Sequence, residues 1–466
     1  MQAMVKKIKK HLIIKIIIGF GLITGLVFLI HNLTAYPFYR GYNYGDLVHY
    51  SEIITKEWRL PNVQETPKFY DPPAFYIISG LFIRLVSFLA GKKFYLFGDE
   101  FYKAGNYWQN FSIIFPILSF YFWHKIIKKL IPQNKLAQLT FIVFLFSLPV
   151  LHKTLFMYSI EPFLMFTVSL TFWYFIFKFQ PKPSVKKTLI LSFLVIISLL
   201  TRISAIALLT AVSIGILGLA WIRQINWSQS FKFLTILLLS TLIGSGWFYG
   251  RKSELYSDRI TILMNREKNA GLPADQRLAF LTELHPHIVM IYPIRRGVWL
   301  NRFIPIYYSE FWGDFWNFYI QNRFGISQET RRADRLFTTP QRVANLALQN
   351  RVNLIPTFLM ILGFIYLIIQ VIKQVRKKPN FLWVIKAMFL TIFIVTWLGF
   401  LYSIVFHGAH KGDSIKASYM LFILPIFVYM LVVYLFKVVK KIKLIFIPLM
   451  VWLALAVGVN LWWGWY

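Results

Sequence analysis

The sequence predicts an all-α protein that crosses a membrane many times, and three observations predict it. Of 466 residues, 57% are hydrophobic and only 15% charged, against roughly 45–50% and 25% in soluble domains. The apolar residues gather into runs of about 20, the length a helix needs to cross a bilayer. The 51 Lys and Arg residues, against 18 Asp and Glu, give a net charge of +33, and they stand in short clusters between those runs. Charge distributed this way orients a membrane protein, so the nucleic-acid binder that a basic chain otherwise suggests is excluded. The hydrophobicity excludes a disordered chain. With no cysteine, structural disulfides and thiolate metal sites are excluded as well.

Apolar segments of spanning or near-spanning length fall at roughly 12–30, 108–126, 136–151, 163–179, 187–200, 205–222, 231–249, 354–373, 381–404, 419–436 and 444–463. The first reads as a retained span, because it lacks the small-residue cleavage pattern of a signal peptide. Ala74 to Ala90 is apolar but carries Arg84 and follows Asp71-Pro72-Pro73. Loop charge decides its placement. With 74–90 lying in the membrane plane and the N-terminus inside, twenty-two short-loop Lys and Arg face inward. Four (Lys153, Arg202, Lys411 and Lys416) face outward. If 74–90 crossed, the bias would largely invert, so an in-plane helix is expected. The 187–222 region is split into two helices around Thr201-Arg202-Ile203-Ser204.

The expected architecture is a bundle of about eleven transmembrane helices, N-terminus cytoplasmic and C-terminus outside, in the cell membrane. Three parts follow: 1–249 with the first outer loop 32–107, a small outer cap at 250–353, and the C-terminal helices 354–466. Trp462, Trp463, Trp465 and Tyr466 read as an interfacial aromatic belt. Trp312 and Trp316 in the cap suit either core packing or sugar stacking.

Ionisable residues at membrane depth or just outside it are costly and point to function. Asp46 follows the first span and begins a helix-like stretch. It suits a carboxylate base at the surface, or a helix N-cap. Asp71 before Pro-Pro suits a turn initiator. Glu161-Pro162 opens a span, where a carboxylate also complements the helix dipole. Arg202 lies between two short apolar helices. His407, His410, Lys411 and Lys416 form a basic outer cluster, and Lys68 precedes the Pro-Pro helix. A His407–His410 pair lacks a clear third ligand for a divalent metal, so no metal site and no certain cofactor is assigned.

Several of these segments, in order along most of the chain, resemble the C-type (GT-C) glycosyltransferase superfamily. They are Asp46 after the first span, Leu60-Pro61, and Tyr70-Asp71-Pro72-Pro73-Ala74-Phe75-Tyr76. Tyr158-Ser159-Ile160-Glu161-Pro162, Leu200-Thr201-Arg202-Ile203-Ser204 and Phe311-Trp312-Gly313-Asp314-Phe315 follow, then Lys416-Ala417-Ser418-Tyr419 with Leu424-Pro425. Within it, they resemble dolichyl-phosphate-mannose protein mannosyltransferases and bacterial aminoarabinose transferases. The chain departs from them in two places. It has Asp46-Leu47 where many carry Asp-Glu, and Asp71 where others carry His before Pro-Pro.

The resemblance implies transfer of a sugar from a polyprenyl-phosphate donor, with inversion, to a lipid, glycan or protein acceptor on the outer face. It implies Asp46 as general base and Glu161 as a second acid. It further implies Lys68, Tyr70, Asp71, Arg202, His407, His410, Lys411, Lys416 and Tyr419 as residues around the donor. The alternative from a different class is a transporter or flippase of a lipid-linked substrate. That class would show internal repeats and no large outer cap, and the sequence shows no evident repeat.

Overall fold

The computed structural model describes residues 25, 27–37, 41, 44–62, 64–89, 91, 107–256, 272–294, 302–316, 340–377, 379–406 and 415–464. Among them, every regular element is helical. Seven helices are long and apolar enough to cross a membrane, or eight if one bent pair counts as a single span. The protein is therefore built as a multi-pass membrane protein. The first expected span, 12–30, falls mostly outside the described residues.

The elements in chain order are α1 (Tyr44–Glu57), α2 (Ala74–Leu89), α3 (Ile114–Leu130), α4 (Lys135–Phe146), α5 (Pro149–Leu155), α6 (Glu161–Tyr174), α7 (Val185–Leu199) and α8 (Ile206–Trp221). They continue with α9 (Trp227–Tyr256), α10 (Ala274–Thr282), α11 (Pro286–Met290), α12 (Phe303–Trp312), α13 (Pro340–Val352), α14 (Leu354–Val375), α15 (Phe381–Phe406), α16 (Leu424–Lys437) and α17 (Lys443–Gly464). A 3₁₀ stretch, Ala417–Ile423, leads into α16.

The centre of the bundle is the Ala417–Lys441 helix, 83% buried over its most apolar stretch, whereas the terminal Lys443–Gly464 helix is only 17% buried. The terminal helix thus keeps its apolar side chains for lipid. α14 packs closely on α16 because Gly363 has no Cβ; one there would collide with the Met430 carbonyl. Close backbone approach at small residues is how helices associate where lipid removes the hydrophobic drive.

Three expectations are corrected. The segment 136–151 is not one straight span. Leu148 is extended, and α4 and α5 meet at a 54° bend, with Pro149 opening the second piece where its missing N–H costs nothing. Lys153 is not an outer-loop residue: it is buried on α5, where its ammonium reaches Glu310 Oε1 at 2.5 Å. The boundary at 249/250 falls within a helix, since α9 runs to Tyr256, whereas that at 353/354 coincides with the Asn353 break between α13 and α14.

Two expectations on α7 and the cap have clear outcomes. The region 187–222 divides into α7 and α8 at the Thr201-Arg202 turn. Trp312 and Trp316 are core residues, buried at 1% and 7% exposure; their indole N–H groups donate to Thr357 Oγ1 and the Ile415 carbonyl.

A second, aromatic-rich cluster joins α1 and α2 to Trp108, Phe115, Tyr158 and Phe163. Here α2 seats against α1 at Gly80, where a Cβ would lie 2.7 Å from Thr55 Oγ1. Arg84, the residue out of place on an apolar helix, turns to the end of α1. It donates to the Thr55 carbonyl at 2.5 Å and lies 4.3 Å from the Trp58 ring centroid. One of the last, otherwise unsatisfied carbonyls of α1 is thereby capped. The α2 N-terminus is pinned from the other side, since Ala74 N–H donates to the Leu200 carbonyl at 2.8 Å.

Candidate functional site

That last bond brings two distant sequence motifs together: Asp71-Pro72-Pro73 at the mouth of α2, and Leu200-Thr201-Arg202 between α7 and α8. Arg202 is held on two sides. Its guanidinium is bonded to Glu161, the first residue of α6, and stacks over Tyr419 with its carbon 3.8 Å from the ring centroid. The Ser159 hydroxyl donates to the other oxygen of Glu161. Lys416 approaches the same Tyr419 ring at 5.8 Å, so Tyr419 carries two cations. Burial by itself would lower the Arg202 pKa, but the charges of Glu161, Tyr419 and Asp71 raise it overall. The group is a permanent cation.

A second pair forms around Tyr70. The ammonium groups of Lys68 and Lys252 lie 5.8 and 5.7 Å from its ring centroid. Lys252 comes from the end of α9 and is buried at 5% exposure. Tyr249, one turn earlier, donates to the Leu199 carbonyl at 2.8 Å and fixes that end of α9 against α7. Burial pushes Lys68 down, but Asp71 and then Tyr70 and Tyr419 outweigh it, and its pKa is raised.

Asp71 sits among these cations and is oriented by tyrosines. Tyr76 donates to its carboxylate at 3.0 Å, and Tyr50 donates to its backbone carbonyl at 3.1 Å. The two rings stack at 3.7 Å with 8° between planes. Burial, and then the Asp71 charge, raise both phenol pKa values, so both stay neutral donors. Tyr158 supports the same wall: it shares hydrogen bonds with Ser51 at 2.5 Å and Ser79 at 2.6 Å. Burial pushes its pKa up to about 12, against the effect of those two hydroxyls.

Asp46 stands slightly apart, in the first turn of α1. Its backbone carbonyl accepts from Thr66 at 3.2 Å, and the same hydroxyl accepts from the Lys68 N–H at 3.2 Å. One side chain therefore ties Asp46 to the backbone that presents Lys68. The Asp46 carboxylate is half-buried and makes no hydrogen bond or ion pair to any described residue.

Of the residues singled out from sequence, Glu161, Lys68, Tyr70, Asp71, Arg202, Lys416 and Tyr419 converge. His407, His410 and Lys411 lie outside the described residues. Lys252, Tyr249, Tyr50 and Tyr76 join them without having been singled out. The signal for Lys252 was Arg251-Lys252 closing a long apolar run, a pair of charges placed where membrane depth ends. No group of three or more His, Asp or Glu side chains among the described residues is arranged to hold a metal ion. Chemically, the arrangement sets two cation–tyrosine pairs beside the Asp71 and Glu161 carboxylates, a charge pattern that suits an anion. No protein-family model, curated protein or solved structure matches the chain.

Proposed function

We propose that this protein is an integral-membrane glycosyltransferase of the C type. It transfers a sugar from a polyprenyl-phosphate-linked donor to a lipid, glycan or protein acceptor at the outer face of the cell membrane. The observation that carries the reading is the convergence of Lys68, Arg202 and Lys416 on Tyr419, with Asp71 facing Lys68 and Arg202 and Asp46 tied through Thr66 to the backbone that presents Lys68. In this reading the bundle has about eleven spans with the N-terminus inside, and α2 lies in the membrane plane. The length of α2, 16 residues, and its exposed stripe Ile77, Leu81, Leu85 and Phe88 support that placement: a one-sided apolar helix too short to cross suits the interface.

The chemistry follows from the charges. The acceptor oxygen attacks the anomeric carbon from the face opposite the phosphate, and its proton passes to Asp46. The bond from that carbon to the phosphate oxygen breaks, and the electron pair leaves with the phosphate. The leaving group gains negative charge as it departs, so cations fixed beforehand stabilise the transition state more than the ground state. Arg202 is fixed by Glu161 and Tyr419, and so pays little reorganisation when charge develops.

The test is incubation of the purified protein with a panel of radiolabelled polyprenyl-phosphate sugars and a membrane-extract acceptor mixture. Transfer from one donor, with release of polyprenyl phosphate, supports the reading. No transfer and no release from any of them would overturn it.

A further inference from the structure

The Arg202 site stands at one end of the bundle, and the other end is charged without balance. α6 separates the two: its first residue, Glu161, bonds Arg202, and its 14 residues run about 20 Å to the far end. Five stretches of chain meet there: 124–135, 174–187, 221–232, 371–386 and 434–443. Lys129 donates to the Ile176 carbonyl at 3.2 Å and lies 4.9 Å from the Phe177 and Phe381 ring centroids. The Gln180 amide donates to Gln224 Oε1 at 2.9 Å, and the Gln224 amide donates back to the Gln180 carbonyl at 2.6 Å. The Trp383 indole N–H donates to the Val371 carbonyl at 3.0 Å. Together the five stretches hold nineteen Lys and Arg and no Asp or Glu.

Exposed lysines at such an end orient the protein and need no partner. Lys386 is different. It stands in the second turn of α15 and is only 6% exposed. Among the described residues its ammonium donates to one side chain, the neutral Gln374, at 3.4 Å. The charge that bears on it is another cation, Lys437, exposed in the last turn of α16. A buried ammonium calls for a counter-anion. α14, α15 and α16 carry no Asp or Glu, and neither do α8 and α4, which pack on α15 and α16. We propose that Lys386 and Lys437, with the Gln374 amide as a further donor, bind the phosphate of an anionic phospholipid at this end of the bundle. A lysine meets phosphate as a point charge that needs no fixed angle, so two ammonium groups on different helices can share one. The anion is a lipid's because the surroundings are apolar: Ile372, Val375 and Leu382 stand exposed on the same two helix ends. This site is independent of the reaction performed at the Arg202 end.

The test titrates the full-length protein, in a neutral detergent, with dioleoyl phosphatidylglycerol and with zwitterionic dioleoyl phosphatidylcholine, and reads bound lipid by native mass spectrometry. The wild type is expected to bind the anionic lipid at least ~10-fold more tightly, the scale of one charge-assisted contact. Lys437→Gln, a change at an exposed position, should lower phosphatidylglycerol affinity by ~10-fold and leave phosphatidylcholine as it was. Lys437→Glu should remove the preference and also raise the unfolding temperature of the lipid-free protein, because its carboxylate then supplies the anion that Lys386 lacks. Lys232→Gln removes an exposed charge from the same end, on α9, which packs on α7 and α8; it should change phosphatidylglycerol affinity by less than about twofold. Equal affinities of the wild type for the two lipids would overturn the proposal. So would an equal loss in Lys232→Gln and Lys437→Gln, which would make the attraction a diffuse one. Displacement of phosphatidylglycerol by inorganic phosphate would overturn the assignment to a lipid, and a lowered unfolding temperature in Lys437→Glu would overturn the role of Lys386.

Discussion

The guanidinium carbon of Arg202 lies over Tyr419, 3.8 Å from its ring centroid, while Glu161 holds one of its terminal nitrogens. This relationship joins three segments remote in sequence: the α7–α8 turn, the start of α6 and the entry to α16. An ammonium cannot reproduce it, because Lys lacks the planar group that covers the ring while one of its nitrogens bonds the carboxylate. Arg202→Lys should therefore lower sugar transfer by ~10- to 100-fold with the protein still folded, a cation over a ring contributing about 0.5–2 kcal/mol and the bond to Glu161 adding to it. Tyr419→Phe keeps the ring and should cost less than Arg202→Lys. Steady-state transfer rates on both variants check the order.

The Lys68–Asp71 relationship predicts a pH effect. Asp71 is the largest influence raising the Lys68 pKa, and burial the largest lowering it. For a group whose pKa is raised on folding, the favourable interaction is present below its ordinary value, about 10.4. It is lost as pH rises through the raised value. Wild-type affinity for farnesyl phosphate should therefore show no Lys68-dependent loss between pH 7 and about 10. In Asp71→Asn, burial is left less opposed and Lys68 loses its proton sooner, so affinity should start to fall at lower pH. Superimposable pH profiles for the two proteins would contradict this.

Lys153 and Glu310 make a separate, structural prediction. The three ammonium protons of Lys153 have three acceptors: Glu310 Oε1 at 2.5 Å, the Glu310 carbonyl at 2.5 Å and the Gly313 carbonyl at 3.1 Å. The other Glu310 oxygen accepts from Trp316 N–H at 3.3 Å. Both side chains are nearly fully buried, at 2% and 0% exposure. Removing one partner strands a buried charge, at a cost of about 3–5 kcal/mol. Lys153→Met should lower the unfolding temperature in detergent sharply, and Lys153→Met with Glu310→Gln should recover part of the loss. A double variant no more stable than the single one would contradict the pairing.

The sequence carried the membrane class, because length and apolarity of a span are local properties. It also carried the Asp71, Arg202 and Lys416-Tyr419 motifs, since charges beside apolar runs are conspicuous. What it could not carry was pairing. Lys153 stands in a polar-looking gap between apolar runs, and only the chain folding back to Glu310 makes it a core residue. The Tyr50–Tyr76 stack that frames Asp71 is hidden among 25 tyrosines, where nothing local marks two of them as partners. Lys252 was counted with the large outer loop because α9 outlasts its apolar run by a full turn, carried on by helical hydrogen bonds rather than hydrophobicity. Asp46 was legible as an acid near a helix start. Its place beside Lys68, by contrast, depends on the Thr66 hydroxyl bridging two backbone segments.

Asp46 is therefore where the account is most exposed. Its carboxylate has no hydrogen bond or ion pair to a described residue, and it is assigned the acceptor proton. The direct measurement is the single-turnover rate of sugar transfer at saturating donor, wild type against Asp46→Asn, with unfolding temperatures matched. General-base catalysis by a positioned carboxylate contributes about 10²–10⁴-fold, so the variant should be slower by that order while binding the donor lipid as before. Equal rates in the two proteins would remove Asp46 as the base.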